Sequence, residues 1–133
     1  MKGCFADTFY FLALVSSRDE SHHEAVQLSE SLTCSIFTTT WVLTELADAM
    51  CRQPRRQHFG VFLKRLRGEP RTVIVPTTDE LFEAGLKPYL ERSDKAWSLT
   101  DCISFAVMQQ ERLTEALTGD RHFEQAGFIA MLK

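Results

Sequence analysis

The sequence alternates short apolar runs with longer segments in which apolar residues recur every three or four positions. The run Thr72-Val73-Ile74-Val75, bounded by Pro76, is the clearest strand. Further strands are predicted over residues 2–6, Ser35 to Thr38, Glu115 to Thr118 and Phe128 to Met131. Strands that alternate with helices predict an α/β fold with a parallel sheet covered on both faces.

The segments between these strands predict helices. Thr8 to Val15 is expected to be a helix or turn, Glu24 to Leu32 a helix, and His122 to Gln125 a short helix. Four more helices are predicted from core-facing sets, namely Val42, Leu43, Leu46, Ala49 and Met50; Phe59, Phe62, Leu63 and Leu66; Leu81, Leu86 and Leu90; and Cys102, Ile103, Ala106 and Val107.

Hydroxyl residues and one proline set the expected ends of three of these helices. The hydroxyls of residues 38–40 can cap the helix that follows, and Thr77 is expected to cap the helix carrying Asp79 in its first turn. Pro88 is expected to kink or end that same helix, because a proline removes a backbone donor and clashes with the preceding turn. Ser98 introduces the next helix.

Length and composition are those of one ordinary globular domain, which we predict to span residues 1–133. The chain has 133 residues, of which 44% are hydrophobic and 25% charged, and domains of this size are the commonest. The longest apolar run, Phe9 to Val15, is too short to span a bilayer and lacks a basic leader. We therefore expect a cytoplasmic protein that does not associate with membranes.

The cysteines and histidines give little support for a zinc site. Cysteines at positions 4, 34, 51 and 102 form no CxxC pair, which favours buried free thiols. The histidines lack the i, i+4 spacing of a helical zinc pair. His122 alone lies close in sequence to a candidate site residue, and a surface role is favoured for it.

Basic residues are concentrated in one segment, residues 52–71, although the net charge of the chain is −3. The segment carries seven Lys or Arg residues and one acidic residue, which suits contacts with the phosphates of a nucleic acid. A solvated helix face is an equally good interpretation. The candidates for RNA contact are Arg52, Arg55, Arg56, Lys64 and Arg65.

Four acidic residues stand where a predicted strand ends or a helix begins. Asp7 follows an apolar run directly, and Asp120 follows another after one glycine. In an open parallel sheet, ligand sites form outside the carboxyl ends of the strands. Glu45 lies at the margin of an apolar helical stripe, where a carboxylate is partly desolvated and needs a partner. Asp101 stands at the start of a helix.

Each acid also has a structural interpretation. Asp101 lies three residues after Ser98 and could complete a capping box. Asp120 could be a turn residue, and Asp7 could cap the helix that follows it. If the four acids converge instead, bound cations or protonation must offset their repulsion. Oxygen ligands favour Mg²⁺ or Mn²⁺, which can activate water and stabilise a leaving oxygen in phosphodiester hydrolysis.

The order and spacing of these acids resemble the motifs of PIN-domain nucleases, and in particular toxins of the VapC type. The resemblance covers essentially the whole chain and rests on Asp7-Thr8, Thr44-Glu45-Leu46, Ser98-Leu99-Thr100-Asp101 and Thr118-Gly119-Asp120-Arg121-His122-Phe123. It implies a PIN-like three-layer α/β/α sandwich with a central parallel sheet of four to five strands. It also implies Mg²⁺- or Mn²⁺-dependent endoribonuclease activity on an RNA substrate.

The resemblance also implies roles for individual residues and partners. Asp7, Glu45, Asp101 and Asp120 would be the acidic metal site, with Thr118 positioning water or an acidic neighbour. Thr8 would be a support residue, and Asp94 would have a structural or supporting role. The toxins that the chain resembles often form homodimers and are neutralised by a small antitoxin protein.

Other function classes remain open from the sequence alone. A free-standing RNA-processing nuclease would have the same motifs as a toxin. A nonenzymatic PIN-like scaffold that binds RNA or protein would not need the complete acidic set, which disfavours it. A haloacid-dehalogenase-like phosphatase needs a second aspartate two residues after the first, whereas Phe9 stands at that position. A receiver domain needs an adjacent acidic pair before its phosphoacceptor strand, which this chain lacks.

Overall fold

A computed structural model describes residues 3–132 as five strands and seven helices around one sheet. The strands are β1 Gly3–Ala6, β2 Ser35–Thr39, β3 Thr72–Val75, β4 Glu115–Leu117 and β5 Ile129–Ala130. They lie in the order β3-β2-β1-β4-β5, and every pair is parallel. The predicted α/β fold with a parallel sheet is confirmed, and the predicted strands match within about two residues. Residue 2, at the start of the first predicted strand, lies outside the described residues.

The helices are α1 Thr8–Val15, α2 His22–Ser31, α3 Thr40–Ala49, α4 Arg55–Gly68, α5 Asp79–Glu91, α6 Leu99–Gln110 and α7 Arg121–Gln125. The chain moves outward from β1 to β3 in one direction and returns to β4 on the other side of β1. Because parallel crossovers are right-handed, this reversal places α1 to α4 on one face and α5 to α7 on the other. Contacts between α1 and α3, and of α6 with both α5 and α7, agree with three layers.

Helix α5 departs from the prediction in three details. Thr78, not Thr77, is its N-cap, and the Thr78 hydroxyl accepts a hydrogen bond from the Leu81 backbone at 3.1 Å. The helix continues three residues beyond Pro88, so the proline does not end it. Leu90 was expected in the core but is 67% exposed. The last turn of α5 extends beyond the core, so its apolar residue stays exposed. The spacing of apolar residues alone does not show where the core ends.

Aromatic side chains fill the layer between the sheet and the second helical face. Phe5 of β1 and Phe123 of α7 are fully buried, and their ring centroids lie 6.4 Å apart. Phe105 of α6 meets Phe123 edge-on at 5.0 Å and Trp97 at 5.2 Å. This packing ties α7 to the sheet. Asp120, at the start of α7, is thereby held in a fixed position.

Helices α5 and α6 approach closely at Gly85. A Cβ built on Gly85 would lie 2.4 Å from the Ile103 side chain and 2.9 Å from the Ile103 backbone. Only a residue without a side chain allows this separation. The close approach fixes α6, whose first turn carries Asp101.

None of the helices within residues 3–132 combines the length and apolar character needed to cross a membrane. The proposal that residues 1–133 form a single domain reaches beyond the described residues at both ends and stays a prediction.

Candidate active site

The carboxyl ends of β1 and β4 meet at the point where the strand order reverses. Asp7 follows β1 directly, and its backbone amide bonds to Leu117 of β4 at 3.3 Å. The Thr118 hydroxyl donates to Asp7 Oδ2 at 2.9 Å. Asp7 is the N-cap residue of α1, but its side chain makes no capping hydrogen bond. Its carboxylate is therefore directed to the sheet edge, where open α/β sheets bind ligands.

Glu45 reaches the same edge from α3. The Thr8 hydroxyl, at the start of α1, donates a hydrogen bond to Glu45 Oε1. Glu45 is half-buried, as its position at the margin of the apolar stripe predicted. Thr8 is buried, so the hydrogen bond restricts the carboxylate to one direction. Thr8 therefore supports the acidic cluster.

Asp101 forms part of the N-terminal cap of α6 and also contacts His122. Its Oδ2 accepts from the Ser98 backbone at 3.2 Å, and its own amide donates to the Ser98 hydroxyl at 3.0 Å. This pair is the capping box that the spacing predicted. Asp101 is 8% exposed, and its Oδ2 also contacts His122 Nδ1 at 3.0 Å. The structural interpretation of Asp101 as part of a capping box is confirmed, and the same side chain contacts His122.

Asp120 caps α7 and faces the same cluster. Its Oδ1 accepts a hydrogen bond from the His122 backbone at 2.9 Å, and its amide donates to the Thr118 hydroxyl at 3.0 Å. Thr118 therefore accepts from the Asp120 backbone while donating to Asp7. The two interactions fix Asp7 and Asp120 relative to one buried hydroxyl.

All four acids line one open pocket of about 370 Å³. Its lining residues are Asp7, Thr8, Phe9, Glu45, Ala96, Ser98, Asp101, Asp120 and His122. No lysine or arginine of the described residues lines it. Negative charge is therefore concentrated there without a protein cation to offset it.

Burial and crowding disturb the titration of two of these acids. The pKa of Asp7 is raised from 3.8 to about 7; burial is the largest cause, and the charges of Asp101 and Glu45 contribute to the rise. The hydrogen bond from Thr118 opposes this rise. Burial likewise raises the pKa of Glu45, with added repulsion from Asp101 and Asp120. An ordinary solvated carboxyl has a pKa near 4. Keeping these acids ionised in the pocket therefore costs folding free energy, which a bound cation would offset.

The donor set suits a divalent cation. Oxygen atoms from carboxylates are the ligands that Mg²⁺ and Mn²⁺ prefer. One donor atom from each of Asp101, Asp120 and His122 lies within 4.8 Å of the others. The raised pKa of Asp7 and the lack of lysine or arginine among the described lining residues are both expected of a site that holds a cation. The residues present therefore fit a divalent metal ion.

Asp94 lies outside this pocket. Both of its carboxylate oxygens accept from the Arg92 guanidinium at 3.0 Å, in an exposed ion pair. Arg92 also lies over the Trp97 ring at 5.3 Å. Asp94 thus orients Arg92. It does not line the pocket that holds the four acids.

The predicted RNA-contact residues lie on and just before α4. Arg52, Arg55, Arg56, Lys64 and Arg65 are all exposed, and none of them forms an ion pair with another described residue. The opposite face of α4 packs inward, where Phe62 meets Phe11 with ring centroids 5.3 Å apart. The basic face is therefore free to meet an anionic partner.

His122 is the site residue that sequence reasoning missed. A surface role was favoured for it, but its ring lines the pocket and contacts Asp101 at 3.0 Å and Asp120 at 3.5 Å. Its position two residues after Asp120, at the start of a short helix, was the available signal.

Comparisons with known proteins agree with the geometry. The chain matches the PIN domain family over residues 4–129. It is 26% identical to the 23S rRNA-specific endonuclease VapC20 of Mycobacterium tuberculosis over 125 residues, which is 94% of this chain and 95% of that protein.

Solved structures show the same fold. The crystal structure of M. tuberculosis VapC20, described as a Sarcin-Ricin loop cleaving toxin, superposes with a TM-score of 0.89 at 24% identity, covering 98% of this chain and 100% of that one. A toxin–antitoxin complex from Klebsiella pneumoniae gives a TM-score of 0.64 at 20% identity, covering 90% and 88%. The match over nearly the whole chain identifies the protein as a member of the PIN-domain family of nucleases.

Proposed function

We propose that this protein is an endoribonuclease that hydrolyses RNA phosphodiester bonds with Mg²⁺ or Mn²⁺, and that it is the toxin of a type II toxin–antitoxin pair. One observation carries the proposal: Asp7, Glu45, Asp101 and Asp120 line a single pocket that no described lysine or arginine lines. A nonenzymatic scaffold would gain nothing from a buried acid whose pKa is raised to about 7, mainly by burial and further by the neighbouring acids Asp101 and Glu45.

In this proposal the four carboxylates hold the metal, and two hydroxyls hold the carboxylates. Thr118 keeps Asp7 directed into the pocket, and Thr8 does the same for Glu45. A bound divalent ion would supply positive charge that activates the attacking water and stabilises the leaving oxygen. The hydrogen bonds keep the acids oriented before substrate arrives, so little reorganisation remains to be done during the reaction.

The comparisons direct the choice of substrate. The relative VapC20 is named as specific for 23S rRNA, and it aligns with nearly the whole of this chain. We propose ribosomal RNA as the first substrate to test. The K. pneumoniae neighbour is a toxin–antitoxin complex, which supports a small antitoxin as the partner. We further propose that the protein is a homodimer and acts in the cytoplasm.

The test is cleavage of purified ribosomes, 23S rRNA and an unrelated RNA by the isolated protein, with Mg²⁺ or Mn²⁺ and with a chelator. We expect cutting only with a metal ion, and we expect it to be confined to one or few positions. An Asp101→Asn variant purified in parallel controls for contaminating nucleases, since it removes one metal-ligand charge while Asn can keep accepting the Ser98 hydrogen bond.

Cleavage that persists in the chelator and in the variant would mean that the acidic pocket is not the active site. Absence of cleavage on all three RNAs, from folded protein free of any antitoxin, would contradict the ribosomal substrate. A metal-dependent cut in the unrelated RNA alone would retain the nuclease and reject ribosomal RNA.

A second prediction concerns the basic segment. Arg56→Ala should weaken RNA binding similarly for all sequences and reduce the slope of log affinity against log salt by about one, as expected for one lost phosphate contact. Binding is measured in an Asp101→Asn background so that RNA stays intact.

The matched control is Arg18→Ala, which removes the same charge from another exposed position. If Arg18→Ala reduced the salt slope as much as Arg56→Ala, the effect would be one of net charge, and residues 52–65 would be only a solvated face.

A further inference from the structure

His122 is poised between two of the acidic residues, and its position is fixed by the fold. Its backbone amide donates to Asp120 Oδ1 at 2.9 Å. The next residue, Phe123, is fully buried and packs against Phe5 and Phe105. The imidazole is therefore carried by a short helix that is anchored to the core.

The Nδ1 atom lies where a shared cation would find a third ligand. It is 3.0 Å from Asp101 Oδ2 and 3.5 Å from Asp120 Oδ1. Neighbouring ligands on an octahedral ion, each about 2.1 Å from the metal, lie about 3 Å apart. The 3.0 Å distance matches that spacing and the 3.5 Å distance is slightly wider. One donor atom from each of the three residues lies within 4.8 Å of the others.

The contact in the structure is a hydrogen bond. An ionised carboxylate can only accept, so Nδ1 carries the hydrogen in this arrangement. A cation held by Asp101 and Asp120 would meet the Nδ1 lone pair once the ring proton is on Nε2. The imidazole would then exchange a hydrogen bond for a metal bond with little movement.

We propose that His122 is a nitrogen ligand of the metal held by Asp101 and Asp120, and that it biases the site toward transition ions such as Mn²⁺ over Mg²⁺. This inference rests on the proposed metal-dependent function. Imidazole binds transition ions well, whereas Mg²⁺ prefers oxygen. A pocket of carboxylates alone would lack that bias.

The test measures the metal rather than cleavage. Wild-type protein loaded with Mn²⁺ should show ¹⁴N coupling in electron spin-echo envelope modulation, and His122→Asn should lose it. Asparagine places an N–H donor near the position of Nδ1 without a nitrogen lone pair. The variant therefore keeps the hydrogen bond to Asp101 while removing the nitrogen ligand.

Calorimetric titration with each ion separates a ligand from a positioning residue. If His122 is a metal ligand, His122→Asn should lower the Mn²⁺ affinity about tenfold or more and the Mg²⁺ affinity much less. Loss of a residue that only orients ligands would lower both affinities alike, commonly 10- to 100-fold. His122→Ala, with folding checked by circular dichroism, should lose the ¹⁴N coupling as well.

The outcomes distinguish this proposal from the proposed function. Mn²⁺ that binds without ¹⁴N coupling, beside metal-dependent RNA cleavage, would overturn the role of His122 and keep the nuclease. Equal losses for both ions would also overturn it. Absence of any metal binding to the wild type would remove the basis of both proposals.

Discussion

Replacing Asp7 with asparagine should abolish RNA cleavage and at the same time stabilise the metal-free protein. Asp7 is 5% exposed, and burial is the main cause that raises its pKa from 3.8 to about 7. A one-unit difference in pKa corresponds to about 1.4 kcal/mol, so ionised Asp7 costs the fold on the order of 2–4 kcal/mol. Asparagine removes that cost and can still accept from Thr118.

The sign of the pH dependence follows from the raised pKa. The folded protein holds the Asp7 proton more tightly than the unfolded chain does. The stability associated with Asp7 is therefore fully present below pH 3.8 and is lost as the pH rises toward about 7. Urea unfolding in a chelator between these values should show this decline for the wild type and a flatter profile for Asp7→Asn.

A divalent ion should reduce the stability difference between the two proteins. An ion at 100 times its dissociation constant stabilises the folded state by about 2.7 kcal/mol, and the wild type should gain more of this than the variant. Cleavage by Asp7→Asn should fall about 100-fold or more, since the lost charge acts directly in the reaction.

Asp48→Asn is the matched control, because it removes a carboxylate from an exposed position of α3. Its stability and cleavage should stay close to the wild type. A metal-free Asp7→Asn protein that is less stable than the wild type at pH 7.5 would show that ionised Asp7 is compensated within the fold.

Replacing Gly85 with alanine should destabilise the protein by up to about 2 kcal/mol. The added Cβ would meet the Ile103 backbone at 2.9 Å, and a backbone cannot move aside as a flexible side chain can. Overpacking in a core typically costs about 1–3 kcal/mol. That cost exceeds the helix preference of about 1 kcal/mol for alanine over glycine.

The Gly60→Ala variant separates the helix preference of alanine from the overpacking expected at Gly85. Gly60 lies inside α4, and nothing lies within 4 Å of a Cβ built there. This variant should gain up to about 1 kcal/mol, because only the helix preference acts. Urea unfolding of both variants at 25 °C tests the contrast. Stabilisation of both would mean that α5 and α6 have room to separate.

Local patterns in the sequence predict most of the fold. The β-branched run Thr72–Val75 forms β3 with the predicted bounds, and the spacing of Ser98 and Asp101 forms a capping box. Both depend on neighbours a few residues away. The exposure of Leu90 at the end of α5 could not be predicted in this way. How many turns of a helix the core covers depends on the rest of the molecule.

The resemblance indicated the four acids and supporting roles for Thr8 and Thr118, but it did not indicate which acid each hydroxyl contacts. The order of the acids indicated where Asp7 and Asp120 would emerge. The hydrogen bonds that orient the cluster join residues distant in sequence, Thr8 with Glu45 and Thr118 with Asp7. Asp94 pairs with Arg92, and His122 turns inward. Such pairings depend on tertiary packing, for which sequence spacing has no signal.

The hydrogen bond between Thr118 and Asp7 spans 111 residues, and this separation affects the timing of activity during synthesis. Asp7 leaves the ribosome well before its partner strand β4, which is made only after α6. A nascent chain that stops before residue 118 lacks the sheet edge on which the pocket is built. Under the toxin proposal, a ribosome translating this protein would be exposed to a competent enzyme only after β4 and α7 have been made.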